Sequence, residues 1–359
     1  MKEKNKEIEF WRFIFTVLIC AYHFNNFYFG GVSYFKGGYI AVEFFFILSG
    51  FLMMFSVNKD NALKYSLKRA IRLYPHYIFS LIITFSFLMI SSKTSLIVIC
   101  KNIFNSIYTI LMLHILSIDC KIYNPQTWYI SAMLIGGYFI YYMIRNYKKI
   151  FINLIAPFMI IFIYSYYSVN IHHLGEWNIS ILFFRVGLLR AVAGMSLGCI
   201  CYEIYNKLRK YSVNKVVNNL LCVCEILIFS FVILCSINVA QKQSDFVLVI
   251  FLAVSMVISF YHRGITKKIL DNKMISFLGE ISYAMYLNHL FIREIFLKYL
   301  PNKGTSMFLV FIIVTIIYSI LTNELVKHLT NLIRNTWNKY KGSILIKEDN
   351  QYIETTNKI

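Results

Sequence analysis

The first apolar segment of the chain, Phe10 to Phe29, contains two ionisable side chains, Arg12 and His23. Ionisable groups are costly in hydrocarbon, so an imidazole inside a membrane segment is a candidate functional residue. Eleven positions make about three helical turns, which puts both side chains on one helix face about 16 Å apart along the axis. Arg12 is therefore expected near one membrane surface and His23 well inside, as two parts of one site that crosses the bilayer.

An acidic group, Glu43, lies at the same predicted depth in the next apolar segment. His23 and Glu43 are each six residues from the outer end of their segments, about 9 Å below the membrane edge. The short connection 30–36 predicts that the two segments are antiparallel neighbours. A carboxylate level with an imidazole can fix its tautomer and raise its basicity, as a general base requires. The alternative is a structural polar pair that locks two helices together.

Further ionisable side chains fall in the outer halves of later apolar segments. His289 and Arg293 are four residues apart and share one face of the ninth segment, and Arg185 and Arg190 lie in the sixth. A polar cavity lined by several cations would suit a sugar or an anionic glycan. Alternatively, some of these arginines extend toward lipid headgroups.

The inner connection after the second apolar segment contains Arg69 and Arg72, followed by Pro75. Two arginines three positions apart present together on a helical turn, and two adjacent guanidiniums can bind phosphate. The alternative is ordinary basic charge on the cytoplasmic side of a membrane protein. One Arg-x-x-Arg element does not decide between these interpretations.

The composition indicates the class of protein that must position these groups. The 359 residues are 58% hydrophobic and 15% charged, whereas a soluble domain has about 45–50% apolar and about 25% charged residues. The net charge of +19 comes from Lys and Arg in short loops between apolar runs, which is a topology signal and does not indicate nucleic-acid binding. The eight Cys show no metal-ligand pattern, and no metal is expected. The sequence predicts an all-α polytopic membrane protein.

Ten apolar stretches are near the length of about 20 residues that a spanning helix needs. They are 10–29, 37–57, 76–92, 127–145, 150–168, 181–203, 217–239, 246–262, 275–298 and 305–327. Polar residues interrupt the segment 101–118, and counting it as a span would place the later basic loops outside. We predict ten spans with both termini cytoplasmic, and a re-entrant or surface helix at 101–118 on the outer side. The membrane domain is 1–330, and 331–359 is a disordered polar tail.

Five stretches in the same order are similar to the acyltransferase 3 family of integral-membrane acyltransferases. They are Arg12 and His23 at their spacing, the run 38–52, Arg69-x-x-Arg72 with Pro75, the stretch 127–131 and the stretch 278–289. Together they cover nearly the whole chain. Two departures stand out: Glu43 replaces the commoner Asp, and the Glu that many members carry after the Trp-x-Leu-Ser stretch is missing, since Ala132 and Met133 stand there.

The resemblance implies transfer of an acyl group, usually acetyl, from cytoplasmic acyl-CoA to an extracytoplasmic or lipid-linked glycan. It also implies that His23 is essential, that Arg12 supports it, and that Arg69 and Arg72 bind the phosphates of the donor. We therefore expect an O-acetyltransferase of a cell-surface polysaccharide, located in the plasma or inner membrane. A transporter or flippase of lipid-linked sugars is the alternative function.

The predicted site residues are His23, Glu43 and Arg12 for catalysis, Arg69 and Arg72 for acetyl-CoA, and Trp128, Tyr283, His289 and Arg190 for the substrate. For Trp128 and Tyr283, aromatic packing is the alternative role. His23 either takes the proton of a sugar hydroxyl or becomes acetylated itself. The sequence does not specify the glycan, its modified hydroxyl, the acyl chain or the oligomeric state.

Overall fold

The computed structural model describes the backbone of residues 5–28, 34–57, 59–116, 120–238, 242–300 and 305–356. Side chains are described for the same ranges except 25–28, 305 and 337–356. Parts of the predicted elements therefore lie outside the described residues: the first four residues, residue 29 of the first predicted span, the connection at 30–33, residues 117 and 118 of the predicted surface segment, residue 239 of the seventh predicted span, and residues 357–359 of the tail.

The protein is a bundle of α-helices with one short β-hairpin. The long helices are α1 (Lys6–Tyr28), α2 (Ala41–Met53), α3 (Ala62–Ser91), α6 (Trp128–Ile150), α7 (Ala156–Asn170), α8 (Gly187–Leu208), α9 (Lys215–Asn238), α10 (Asp245–Tyr261), α12 (Lys273–Tyr299) and α13 (Thr305–Thr356). The short elements are α4 (Leu96–Asn105), α5 (Ile107–Ile110), β1 (Ser180–Ile181), β2 (Phe184–Arg185) and α11 (Ile265–Ile269).

Successive long helices run in opposite directions, so the bundle has two faces. On the amino-terminal face, the side chain of Asn5 donates a hydrogen bond to the carbonyl of Ser259, 3.2 Å away. On the opposite face, the backbone N–H of Phe35 donates to the carbonyl of Ile237 at 2.9 Å. Lys6 and Asp271 form an ion pair on the same amino-terminal face.

Each of the ten predicted spans overlaps one of the long helices. Five helical stretches of the described chain are long and apolar enough to cross a membrane, namely Ala62–Ser91, Pro125–Asn170, Gly187–Leu208, Lys215–Asn238 and Ser306–Thr336. The all-α membrane bundle is thus the observed fold class, and the number of ten crossings stays a prediction. Helix α4 has ten residues, too few to cross a bilayer, which agrees with a surface element in this region.

Two boundaries differ from the sequence prediction. The sixth predicted span begins at residue 181, but β1 and β2 occupy the first residues of that stretch, so Arg185 lies in a strand and outside a helix. A positive φ of 53° at Leu182 forms the turn between these strands. At the end of the chain, the backbone of α13 is helical as far as Thr356, through the segment where the sequence predicts a disordered tail.

Helices α2 and α8 approach each other more closely than any side chain would permit. A Cβ at Gly50 would lie 1.9 Å from the carbonyl oxygen of Met195, and a Cβ at Gly198 would lie 2.0 Å from that of Ile47. Small residues in membrane helices permit such backbone contact, which is stabilised by van der Waals packing. The glycines thereby fix α2 against α8 and align the polar groups that the two helices carry.

Candidate active site

A cavity of about 1220 Å³ opens on the amino-terminal face. Its walls come mainly from α1, α2, α3, α6 and α12, and α8, α10, α11 and α13 contribute one or two residues each. The cavity is lined by three of the predicted arginines, Arg12, Arg69 and Arg72, and by the predicted aromatic residue Tyr283. Because these residues are far apart in sequence and meet in one space, the fold assembles the basic pocket that the Arg-x-x-Arg element alone could not establish.

Arg69 and Arg72 lie on the amino-terminal turns of α3, which begins at Ala62, earlier than the predicted span. The guanidinium of Arg69 donates hydrogen bonds of 2.9 Å to Tyr65 Oη and to Ser49 Oγ. These bonds hold Arg69 against the wall formed by α2. The side chain of Arg72 is exposed and also faces the cavity, so one arginine is fixed and the other can adapt to a bound anion.

Arg12 and Lys267 are among the other cations that border the cavity. Arg12 Nη1 donates to Glu9 Oε2 at 2.6 Å one helical turn away, which orients Arg12 along the cavity wall. Lys267, in α11, borders the same space. Burial lowers the pKa of Lys267, while the carboxylates of Glu7 and Glu225 act in the opposite direction. An anionic ligand entering here meets positive charge on three helices.

The cavity ends inside the bundle, close to a pair of histidines that do not line it. Its deepest wall includes Ile19 of α1 and Tyr286 of α12. His23 follows Ile19 by four residues, and His289 follows Tyr286 by three, so each imidazole lies about one helical turn beyond the closed end. Nε2 of His289 is 3.1 Å from Nδ1 of His23.

The contacts of the two imidazoles determine where their protons are. Nδ1 of His23 is 3.0 Å from the carbonyl oxygen of Ile19, and a carbonyl can only accept, so Nδ1 of His23 carries the proton. Nδ1 of His289 is 3.3 Å from the carbonyl oxygen of Met285, so in the neutral ring Nε2 accepts from His23. This arrangement leaves Nε2 as the basic nitrogen of His23.

The helix around His289 is held by an unusual set of donors. The carbonyl oxygen of Leu287 accepts hydrogen bonds from Ser80 Oγ at 2.8 Å, Asn124 Nδ2 at 3.2 Å and Gln126 Nε2 at 2.8 Å. Two of these donors come from the turn before α6 and one from α3. Because Leu287 precedes His289 by two residues, these bonds fix the position of the imidazole.

Glu43 does not pair with His23. Within the described residues, Glu43 Oε1 accepts from Arg190 Nε at 2.8 Å and Glu43 Oε2 accepts from Tyr164 Oη at 3.0 Å. The side chains of Glu43 and Arg190 are 0% and 1% exposed. The predicted His23–Glu43 contact is therefore wrong: the α2–α8 contact brings a buried guanidinium to the carboxylate, and a guanidinium compensates a buried charge that a neutral imidazole would not.

The predicted substrate-binding residues divide between two places. Trp128 is stacked on Trp177, with ring centroids 5.5 Å apart and an interplanar angle of 7°, and the guanidinium carbon of Arg190 is 5.3 Å from the Trp128 ring. Neither Trp128 nor Arg190 lines the cavity. Tyr283 does line it and donates a hydrogen bond to the carbonyl of Leu73 at 3.1 Å. His289 contacts His23, so its geometry indicates a positioning role.

One group of side chains in the described residues has the composition of a metal site: Glu7, Glu225 and His262, all buried. The backbone N–H of Gly264 donates to His262 Nδ1 at 2.9 Å, so Nε2 carries the proton of the neutral ring. That Nε2 is 2.6 Å from Glu225 Oε2. The atom that would coordinate a metal is thus already a hydrogen-bond donor, and the cluster links α1, α9 and the end of α10.

Sequence reasoning missed several residues of this region. Tyr129 and Tyr286 line the cavity and belong to stretches that the family resemblance covers, so the resemblance could have indicated them. Ser49 borders the cavity inside the run 38–52 in the same way. Tyr164, the second partner of Glu43, is one of 27 tyrosines and lies in no motif, so only the fold identifies it.

Comparison with protein families agrees with this geometry. The family model described as an acyltransferase domain matches residues 5–324, a range that contains every predicted site residue. The chain belongs to the acyltransferase 3 family. No curated protein and no solved structure matches the chain. This acyltransferase 3 protein is a membrane acyltransferase with several apolar helices, and its cavity and histidine pair are the candidate machinery for acyl transfer.

Proposed function

We propose that the protein transfers an acetyl group from acetyl-CoA, bound at the amino-terminal face, to a hydroxyl of a cell-surface or lipid-linked polysaccharide. The observation that carries the proposal is the basic cavity that enters from one face and ends one helical turn from the His23–His289 pair. The amino-terminal face is the cytoplasmic one, because the short loops on that side hold most of the Lys and Arg.

The donor enters with its phosphates at the arginines. Arg69, Arg72 and Arg12 line the cavity together, and guanidinium–phosphate hydrogen bonds are charge-assisted and often bidentate. With the phosphates held there, the pantetheine arm extends along the cavity and its thioester points toward the closed end. His23 lies about 16 Å from Arg12 along the axis of α1, eleven residues at 1.5 Å each.

His23 acts as the general base. Its Nε2 takes the proton of the acceptor hydroxyl as the hydroxyl oxygen bonds to the thioester carbonyl carbon. The C–S bond then breaks, and the CoA sulfur receives the proton from the imidazolium. His289 keeps the Nδ1–H tautomer of His23 throughout, because its Nε2 accepts from that N–H. Glu43 and Arg190 hold α2 and α8 in place around this centre.

A two-step route through acetyl-His23 uses the same atoms. In that route Nε2 attacks the thioester carbonyl, CoA leaves, and the hydroxyl takes the acetyl group from the imidazole. The two routes differ in one observable: only the second leaves labelled acetyl on the protein when acceptor is withheld. A rapid quench after mixing protein with labelled acetyl-CoA distinguishes them.

Transfer of label from acetyl-CoA to glycan in membranes tests the proposal, with wild type and His23→Ala compared. We expect transfer in wild type and a loss of about 10²–10⁴-fold in the variant, the usual contribution of a general base. Surface glycans from cells with and without the protein, compared by mass, identify the acetylated sugar.

Two results would overturn parts of this proposal. Transfer that persists in His23→Ala would exclude His23 as base and as nucleophile. An absence of transfer to every glycan, together with movement of a lipid-linked sugar between leaflets, would favour the flippase alternative. Lys68→Ala is the matched control, since Lys68 pairs with Asp60 at 2.8 Å and does not line the cavity.

A further inference from the structure

The closed end of the donor cavity is formed mainly by apolar and aromatic side chains. Ile19, Val42, Phe45, Tyr129 and Tyr286 line it, and neither His23 nor His289 does. If a thioester enters from the amino-terminal face, its acyl group is the part that reaches this wall. The size of the wall residues therefore decides how long an acyl chain can be accommodated.

Of the aromatic residues named in this wall, Tyr286 is the one whose ring contacts the histidine pair. Its ring centroid is 6.1 Å from that of His289, and its side chain also borders the cavity. The phenol oxygen donates a hydrogen bond to the carbonyl oxygen of Gln126. Gln126 lies in the turn before α6, and its side chain donates to the carbonyl oxygen of Leu287. The ring is tethered at its far end and is only 8% exposed, so it has little freedom to move aside.

Tyr129 supports the Tyr286 ring from the side of α6. The two ring centroids are 5.8 Å apart and the planes are nearly perpendicular, the edge-to-face arrangement that aromatic rings prefer. Phe45 packs against Tyr129 in the same way at 6.2 Å, and Tyr129 Oη is 3.3 Å from Ser49 Oγ. The wall is a connected aromatic layer in which Tyr286 is the member closest to the reacting groups.

Resting on the proposed function, we propose that the Tyr286 ring limits the length of the acyl group that the enzyme accepts from CoA. A short acyl group is held at the closed end beside the ring, about one helical turn from His23. A longer chain meets the ring and displaces it from its hydrogen bond to Gln126. Steric exclusion by a packed wall can discriminate strongly, because overpacking a filled site forces side chains off their preferred rotamers.

Binding and transfer measured with acetyl-, butyryl- and hexanoyl-CoA test this inference on the purified full-length protein. In wild type we expect affinity and transfer to fall from acetyl to hexanoyl. In Tyr286→Leu we expect the ratio of hexanoyl transfer to acetyl transfer to rise at least about tenfold, since each methylene admitted to an apolar pocket changes the rate by about tenfold or more. Tyr286→Phe, which keeps the ring and removes the hydroxyl, is expected to stay close to wild type in this ratio.

Tyr283→Leu is a second control. Tyr283 lines the same cavity about one helical turn nearer the entrance, where it donates a hydrogen bond to the carbonyl of Leu73. The substitution should therefore leave the hexanoyl-to-acetyl ratio unchanged, whatever happens to overall affinity. If CoA and its thioesters bind wild type but Tyr286→Leu shows the wild-type ratio, Tyr286 does not limit chain length. If neither CoA nor any thioester binds wild type, the proposed function itself fails, and the two failures are thereby distinguished.

Discussion

Two polar pairs within the bundle differ in charge, in burial and in access. Glu43 and Arg190 form an ion pair that is sealed from solvent and capped by Tyr164. His23 and His289 form a pair of imidazoles whose hydrogen bonds are satisfied by neutral partners, next to the end of a large cavity. A sealed charge pair is suited to fixing two helices, whereas a neutral base beside a cavity is suited to proton transfer.

The difference shows why an ionisable residue in a membrane helix does not by itself indicate chemistry. Glu43 has every feature that suggested a catalytic carboxylate: depth, sequence context and a nearby histidine. Its partner is decided by the α2–α8 contact, which places a guanidinium at 2.8 Å. Access to a ligand distinguishes the two pairs, and access is a property of the fold.

Removal of one member of the sealed pair should give the largest effect on folding. Glu43→Ala leaves Arg190 buried without its partner, so we expect a loss of about 3–5 kcal/mol in unfolding free energy, measured by denaturation in detergent. The double variant Glu43→Leu with Arg190→Met removes both charges and should recover most of that stability. A Glu43→Ala protein that stays fully stable but loses transfer would instead make Glu43 catalytic.

Removal of the partner of His23 should mainly affect transfer. His289→Ala removes the acceptor that fixes the tautomer of His23, and we expect transfer to fall about 10–100-fold, by analogy with the loss of groups that orient metal-bound histidines. His289→Gln offers an amide oxygen that accepts from His23 Nδ1–H and should restore much of the rate. Equal losses in both variants would contradict a positioning role.

A substitution at Arg72 tests whether the cavity binds the phosphates of the donor. Arg72→Ala should weaken donor binding about tenfold, the lower end for a hydrogen bond to a charged group, because Arg72 is exposed in the free protein. The turnover number at saturating acetyl-CoA should stay near that of wild type. Binding of CoA to the variant, measured by calorimetry, checks this, and an unchanged affinity would place the phosphates elsewhere.

Trp128 provides the smallest expected effect. Trp128→Phe keeps an aromatic face toward Trp177 and Arg190, so we expect a stability loss of only about 0.5–1.5 kcal/mol, the value of an aromatic contact beyond its buried area. Transfer should be unaltered because Trp128 does not line the cavity. A raised KM for the glycan with unchanged stability would show that Trp128 contacts the acceptor after all.

The sequence alone supplied the helical class, the family and several of the residues that line the cavity on its basic side. Arg12, Arg69, Arg72 and Tyr283 were recognised because charge in apolar segments and motif order are visible in a linear chain. The residues that meet His23 were not, since His289 is 266 positions away and the crossing of α1 and α12 selects it. Depth along a helix can be counted from sequence, but rotation about its axis cannot, which is why Glu43 was assigned to the wrong partner.

The backbone contact between α2 and α8 limits which helices can move when the cavity opens. Where Gly50 and Gly198 leave no space for even one carbon atom, the two helices must shift together or not at all. The wall of the cavity that α2 forms is therefore fixed relative to α8. Any widening that admits a ligand has to come from the other walls, which include α1, α3, α6 and α12. Three of these helices carry the arginines and both imidazoles, so entry of the donor can also shift the reacting groups.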